Sequence, residues 1–362
     1  MTASPVPRVW LLIDDRPGHR TQVEGLARMM GWSAEDRILS FNFLNYIPNP
    51  ILGSSLLSLR GISADSLRPP FPDVVVGMGR RVIPVARWIK CQSGGRSRIV
   101  MLGRKAGGAS RNSDLYVSCS HFGSFPGPRL FELAVPPTKV DAASLAAARN
   151  ARPDPLDGLR HPRVLLLVGG PTAQHEFTAD FAWQMADQVV RSVESLGGEL
   201  AIVTSRRTPA DAITAMRDAA PAAHFHEWER ARVDNPYLSY LAAADALVVT
   251  GESESMLAEG VATGLPLTIF PLQPKPAGPK ARLIAAMHRT AVERGLRAYV
   301  CRSFFDRGWL APPRDLDRLH RAMVDHGLAR LFESAVSLDT PARNQDLDRL
   351  KQRIGELLDQ AS

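Results

Sequence analysis

Three groups of residues in this chain have the types and spacing to do chemistry, and each follows a short apolar run. The first is Asp14-Asp15-Arg16-Pro17-Gly18-His19, directly after Val9–Ile13. An imidazole in such a turn can take a proton from a hydroxyl as general base, and the carboxylate of Asp15 is a second candidate. The second group, Gly169-Gly170-Pro171-Thr172, follows residues 163–168 (RVLLLV). Two glycines at a strand end let backbone amides come close to a phosphate. The third is Gly251-Glu252-Ser253-Glu254-Ser255-Met256, after Ala246–Thr250. If a helix begins there, with Ser253 or Ser255 as its N-cap, its free amides, the positive end of its dipole and the two hydroxyls suit an anion. Glu259 lies four residues after Ser255 and shares its face, where a carboxylate can accept from ribose hydroxyls. Taken alone, this S-x-S-x-x-x-E pattern also describes a capped helix with a solvated glutamate.

The elements that must position these groups follow from the apolar pattern. Continuous β-branched runs are those of buried parallel strands, and polar or Gly-bearing turns leading into amphipathic segments make βαβ units. Strands are expected at Val9–Ile13, Ile38–Phe43, 72–76, Arg98–Leu102, 115–118, Arg163–Val168, 198–204, Ala246–Thr250 and Leu267–Phe270, with a last one at 297–302. A helix over 20–30 carries Val23, Leu26, Ala27 and Met30 at helical spacing, and a segment to about Leu196 carries Phe181, Met185, Val189 and Val193. The helix after Ser255 is expected to stop at Gly264, before Pro266. Residues 136–160, rich in Pro and Ala, read as an interdomain linker. Two domains result, 1–150 and 151–310, with C-terminal helices over 311–362 expected to cross back to the first.

Other residues carry weaker signals. Gly77-Met78-Gly79-Arg80-Arg81 is a further Gly-bearing strand end whose arginines, with Gly18, are expected on the acceptor side. Arg206 or Arg207, after the strand ending at Thr204, could meet a diphosphate. His224–Trp228 could border a base. Arg104 and Lys105 have no decisive spacing. His224 and His226 lack a third ligand in register, so no metal site is expected. Asp315-Leu316-Asp317 and Asp346-Leu347-Asp348 read as solvated helix faces. The close apolar residues Phe41, Phe43, Leu44, Tyr46, Ile47, Ile51 and Leu52 are expected to be buried, the alternative being a membrane-docking patch with Arg60 and Arg68 nearby.

The run from Asp245 through Pro271, with Glu259, the Gly264-Leu265-Pro266 break and the following Phe270-Pro271-Leu272-Gln273, resembles the donor segment of GT-B glycosyltransferases of the MurG type. Gly18-His19 matches the last two positions of the Gly-Gly-His turn in those enzymes, although Asp14–Pro17 replace its glycine-rich lead. The order of Asp14–Gln22, Gly77–Arg81, Gly169–Thr172, Thr204–Pro209 and Gly251–Ser253 resembles bacterial relatives of the plant mitochondrial fission protein of the elongated-mitochondria type, over nearly the whole chain to about Cys301. The GT-B resemblance implies two doubly wound Rossmann-like domains facing a cleft. It further implies donor contacts at Gly169, Gly170, Thr172, Arg206, Gly251, Ser253, Ser255, Met256, Glu259 and Gln273, and a general base at His19 or Asp15.

Composition bounds the rest. The chain has 362 residues, 45% hydrophobic and 22% charged, enough for two globular domains. A net charge of +7 attracts an anionic ligand or an acidic membrane surface. The basic residues are dispersed, with no nucleic-acid motif, so nucleic acid is not an expected partner. Cys91, Cys119 and Cys301 are far apart and form neither a zinc motif nor a disulfide framework, which fits a reducing compartment. No signal peptide or spanning segment is read, and the expected location is cytoplasmic, with peripheral contact on the inner membrane face allowed. The expectation is therefore a metal-independent inverting glycosyltransferase. It would need no cofactor, use a nucleotide-diphosphate sugar as co-substrate, and act on a lipid-linked or cell-envelope glycan. The alternative is a non-catalytic membrane-associated adaptor of the fission-protein type. A nucleotide-sugar epimerase ranks lower, since G-x-G-x-x-G and Tyr-x-x-x-Lys are both missing.

Overall fold

The computed structural model describes residues 7–103, 113–230, 235–307 and 309–359. Arg104, Lys105 and the first six residues lie outside that set. The chain divides into two compact units. One comprises Met1–Lys139, Gly278–Asp315 and Gln345–Ser362; the other comprises Val140–Ala277 and Leu316–Asn344.

In the first unit β1 (Val9–Ile13), β2 (Ala34–Ile38), β3 (Val74–Met78), β4 (Arg98–Leu102), β5 (Leu115–Cys119) and β6 (Leu130–Leu133) form a parallel sheet in the order β2-β1-β3-β4-β5-β6. Alternation along β1 sends Val9, Leu11 and Ile13 into one core and Trp10 and Leu12 into another. With both faces covered, every β1 residue is buried, hence its unbroken apolar run. Helix α1 (Pro17–Met30) starts on a proline and ends at Gly31 in the left-handed region. Helix α2 (Ile83–Gln92) packs on the other face. The strand order reverses between β1 and β3, so the turns holding His19 and Gly79 lie at a topological switch point.

The second unit opens with α3 (Ala142–Ala151). It continues through β7 (Arg163–Val168), α4 (Ala179–Ser195), β8 (Glu199–Thr204), α5 (Ala210–Ala219), β9 (His224–His226), α6 (Tyr237–Ala243), β10 (Ala246–Thr250), α7 (Glu254–Thr263) and β11 (Leu267–Phe270). The chain then leaves this unit for the helical pair α8 (Pro279–Ala291) and α9 (Leu296–Asp306) of the first. It returns for α10 (Leu316–Asp325) and β12 (Arg330–Leu331), and ends with α11 (Asp346–Asp359) on the first unit. The sheet order β12-β11-β10-β7-β8-β9, all parallel, reverses between β7 and β10. The two Gly-bearing turns singled out in this half therefore flank the second switch point. Both units are doubly wound and Rossmann-like, as expected.

Several expectations fail. The second strand lies at Ala34–Ile38, not 38–43. Phe43–Tyr46 and Asn49–Leu52 form short helical turns that leave Phe43, Tyr46 and Ile51 exposed, so the burial expected of them is not found, whereas Leu52 is buried. The presumed linker holds α3, capped reciprocally by Asp141 and Ser144, and the division falls between Lys139 and Val140. Residues 297–302 lie inside α9, because Gly295 opens a helix there. Residues 278–315 belong with the first unit and 316–344 with the second, the reverse of the expected assignment for most of those residues. Only α11 of the last two helices returns to the first. Asp346, expected on a solvated face, is 3% exposed and accepts a 2.6 Å hydrogen bond from the Ala134 amide, tying α11 beyond the end of β6.

Candidate functional site

In the second unit a cavity of about 320 Å³ opens beside the carboxyl ends of β8, β9 and β10. Thr204, Ser205, Arg206 and Arg207 come from the β8 turn, and His226 and Trp228 from β9 and its exit. Ser253, Ser255, Met256 and Glu259 come from the start of α7, and Tyr237 opens α6. Ser253 is the N-cap of α7 but makes no side-chain capping bond, so its hydroxyl is not consumed by the helix. The helix stops at Gly264 in the left-handed region, as the sequence implied. The Tyr237 hydroxyl donates to Glu259 Oε2 at 2.6 Å. Burial raises the Glu259 pKa against that bond, and burial with the adjacent carboxylate raises Tyr237 well above its ordinary value, keeping the phenol a donor. A carboxylate, an indole, an imidazole, hydroxyls, arginines and a helix N-terminus thus line one volume, the set needed to hold a ribose, a base and phosphates.

Deeper at the switch point lies a residue the sequence reading passed over. Glu252, 2% exposed, reaches from the β10 turn to the β7 turn. Its Oε1 accepts from the Gly170 amide at 2.8 Å and from Arg207 Nη2 at 3.1 Å. Its Oε2 is buried and finds no hydrogen-bond partner of good geometry. Burial pushes this carboxyl up, while the Gly170 amide and Arg207 oppose the shift. The Gly169 amide is likewise taken, by Thr250 Oγ1 at 2.9 Å. The glycines are there for a steric reason. A Cβ on Gly169 would lie 1.7 Å from Glu252 Oε1, and one on Gly170 would lie 2.2 Å from the Arg207 carbonyl oxygen.

The expected phosphate contacts at Gly169 and Gly170 are therefore corrected: an internal carboxylate and hydroxyl already occupy those amides. Thr172 folds onto its own loop, its hydroxyl accepting from the Gln174 and His175 amides. Gln273 is exposed, and its carbonyl accepts from the Glu176 amide, away from the cavity lining. Gly251 serves packing, its carbonyl accepting from the His320 ring at 2.7 Å. Arg206, Ser253, Ser255, Met256 and Glu259 do converge on the cavity, and Arg207, not Arg206, holds Glu252.

In the first unit His19 sits on the first turn of α1, with Nδ1 2.9 Å from Asp14 Oδ2 and 3.1 Å from Oδ1. Nδ1–H donating to this buried carboxylate leaves the Nε2 lone pair free to accept a proton. Burial alone would raise the Asp14 pKa. The His19 hydrogen bond and charge, the Arg16 amide and Arg81 outweigh it and hold the carboxyl below its ordinary value. Gly79 is required twice: its φ is +84°, and a Cβ there would lie 2.8 Å from His19 Cε1. Asp15, the alternative base, is instead exposed and bound by Arg81 at 2.7 Å. The expected acceptor-side role of Arg80 is also corrected. Its guanidinium donates to the carbonyls of Asn45 and Ile47, pinning the 43–52 segment. Gly18 is exposed beside His19, with open space around it. Asp14 and Asp15 are adjacent carboxylates, and the sequence gives no signal for which one turns inward. Among the described residues no group of three or more His, Cys, Asp or Glu side chains is placed to hold a metal ion.

Two doubly wound units, each with polar side chains gathered at its switch point, define a Rossmann-type protein. The family description "Mitochondrial fission ELM1" matches residues 17–313, and the chain belongs to that family. It is 29% identical over 177 residues to the mitochondrial fission protein ELM1 of Arabidopsis thaliana. That match spans 48% of this chain and 40% of the plant protein, less than half the relative's length. Among solved structures, a putative UDP-N-acetylglucosamine 2-epimerase from Listeria monocytogenes is similar with TM-score 0.49 and 12% identity, covering 98% of this chain and 97% of that one. Acinetobacter baumannii MurG is similar with TM-score 0.41 and 12% identity, covering 97% and 100%.

Proposed function

We propose that the second unit binds a nucleotide-diphosphate sugar in the 320 Å³ cavity and that the chain is an inverting glycosyltransferase. The observation that carries this reading is the convergence of Glu259, Trp228, Arg206 and the N-terminus of α7 on one volume. Glu259, held by Tyr237, accepts from the ribose hydroxyls, and Trp228 and His226 flank the base. The diphosphate lies at Ser253, Ser255 and Arg206, since Glu252 already fills the Gly170 amide. His19 Nε2 takes the proton of the acceptor hydroxyl, oriented through Nδ1 by Asp14. The acceptor oxygen bonds to the anomeric carbon from the face opposite the leaving group, and the bond from that carbon to the diphosphate oxygen breaks. The nucleoside diphosphate departs with its electron pair, stabilised by arginine and helix-end amides in place of a divalent cation. A lipid-linked or cell-envelope glycan is the proposed acceptor class.

The reading is tested by following nucleoside-diphosphate release from a panel of nucleotide sugars. The expected result is release with one donor, lost in His19→Ala. Absence of release and of nucleotide binding from a folded protein would favour the second reading, a non-catalytic adaptor, which the family name suggests.

A further inference from the structure

Among the described residues no helix is long and apolar enough to cross a membrane, yet the first unit carries a helical pair with an unusual outer face. Helices α8 and α9 pack against each other, and their inner side, with Ala291 and Phe305, closes over Phe125. The outer side is apolar where the two helices meet. Val292 is 61% exposed, Leu296 79%, Tyr299 71% and Val300 47%. Leu296, Tyr299 and Val300 stand at i, i+3 and i+4, so they form one stripe on α9. Arg289, Arg294 and Arg297 are exposed among them. Between Pro279 and Arg307 there are seven lysines and arginines against two acidic residues.

We infer that the α8–α9 hairpin is the surface by which this chain lies on an anionic lipid bilayer. Apolar and aromatic side chains at the tip enter the headgroup boundary, and the arginines meet lipid phosphates. Charge decides the occupant. A second copy docking through the same face would set this basic surface against itself, whereas an anionic bilayer complements it. The inference does not depend on whether the cavity takes a nucleotide. The other exposed apolar segment, with Phe43 and Tyr46, lacks such a density of arginine, with only Arg60 between residues 38 and 60.

The test is co-sedimentation of the full chain with vesicles of phosphatidylglycerol and phosphatidylcholine, or of phosphatidylcholine alone. The variants are Leu296→Ser/Tyr299→Ser, Arg294→Glu/Arg297→Glu and, as control, Phe43→Ser/Tyr46→Ser. Circular dichroism and melting confirm that each is folded. The expected result is binding to the anionic vesicles only, weakened roughly tenfold or more by each hairpin pair and unchanged by the control pair. Equal binding to neutral vesicles, no binding at all, or full binding by folded hairpin variants would overturn the inference. So would loss confined to the control pair. A dimer that Leu296→Ser/Tyr299→Ser dissociates, without any lipid effect, would show that a second copy covers this face.

Discussion

Each unit places a buried carboxylate at its switch point, and the two carboxylates are treated in opposite ways. Asp14 has hydrogen bonds to the His19 ring and the Arg16 amide, with Arg81 nearby, and its pKa is lowered. Glu252 has one oxygen shared by the Gly170 amide and Arg207 while the other is buried without a good partner, and its pKa is raised. The same element of the fold thus holds a carboxyl below its ordinary pKa in one unit and above it in the other. The difference lies in burial, which outweighs the donors at Glu252 and is outweighed at Asp14 by His19, the Arg16 amide and Arg81. A carboxyl held below its ordinary pKa suits the orientation of a base. A reluctant one suits a plug that keeps a glycine turn closed.

The largest effect is expected at Asp14 and His19. His19→Ala or Asp14→Asn should lower transfer about 100- to 10,000-fold with nucleotide affinity unchanged, as judged by kcat/KM beside calorimetry. Near-normal rates in Asp14→Asn would dissolve the contrast between the two carboxylates. On the side of the plug, Gly169→Ala forces a methyl into Glu252 and should cost ~3 kcal/mol in denaturant unfolding. An effect under ~0.5 kcal/mol would mean that Glu252 moves away freely.

The pH dependence sharpens the comparison further. Asp14, lowered in the folded state, stabilises the protein fully above its unfolded-state pKa, and that contribution is lost as pH falls through the folded value. Glu252, raised in the folded state, behaves in the opposite sense. Its penalty is absent below the ordinary glutamate range and grows as pH rises through its folded value. Melting curves should therefore show Asp14→Asn losing most relative to wild type at neutral pH, and Glu252→Gln gaining relative to wild type from acid to neutral pH. Parallel curves for Glu252→Gln would contradict the raised pKa. The smallest effect is that of Arg206→Ala, a few-fold weaker nucleotide binding, since this side chain is exposed at the rim.

Much of this framework was legible in the residues. The strands Val9–Ile13, Arg163–Val168, Ala246–Thr250 and Leu267–Phe270 declare themselves because burial on both faces requires unbroken apolar runs. Glu259 and Ser255 could be placed together because helical spacing is rigid. What stayed hidden depends on tertiary choice. Nothing local distinguishes Asp14 from Asp15 or Arg207 from Arg206, since a turn can present either neighbour inward. Glu252 hid inside a turn expected to receive phosphate. Residues 297–302 contain an apolar run that suggests a strand, but Tyr299 and Val300 follow Leu296 at i+3 and i+4 on a helix whose outer face is not buried.

The central claim is that the second unit's cavity is a nucleotide site, and titration calorimetry tests it most directly. Nucleoside diphosphates are titrated into the wild type and into Glu259→Ala. The expected result is saturable binding of one nucleoside diphosphate by the wild type, weakened about tenfold or more when the Glu259 carboxylate is removed. Wild-type and variant curves that coincide, or no heat from any of them up to millimolar concentration, would contradict it.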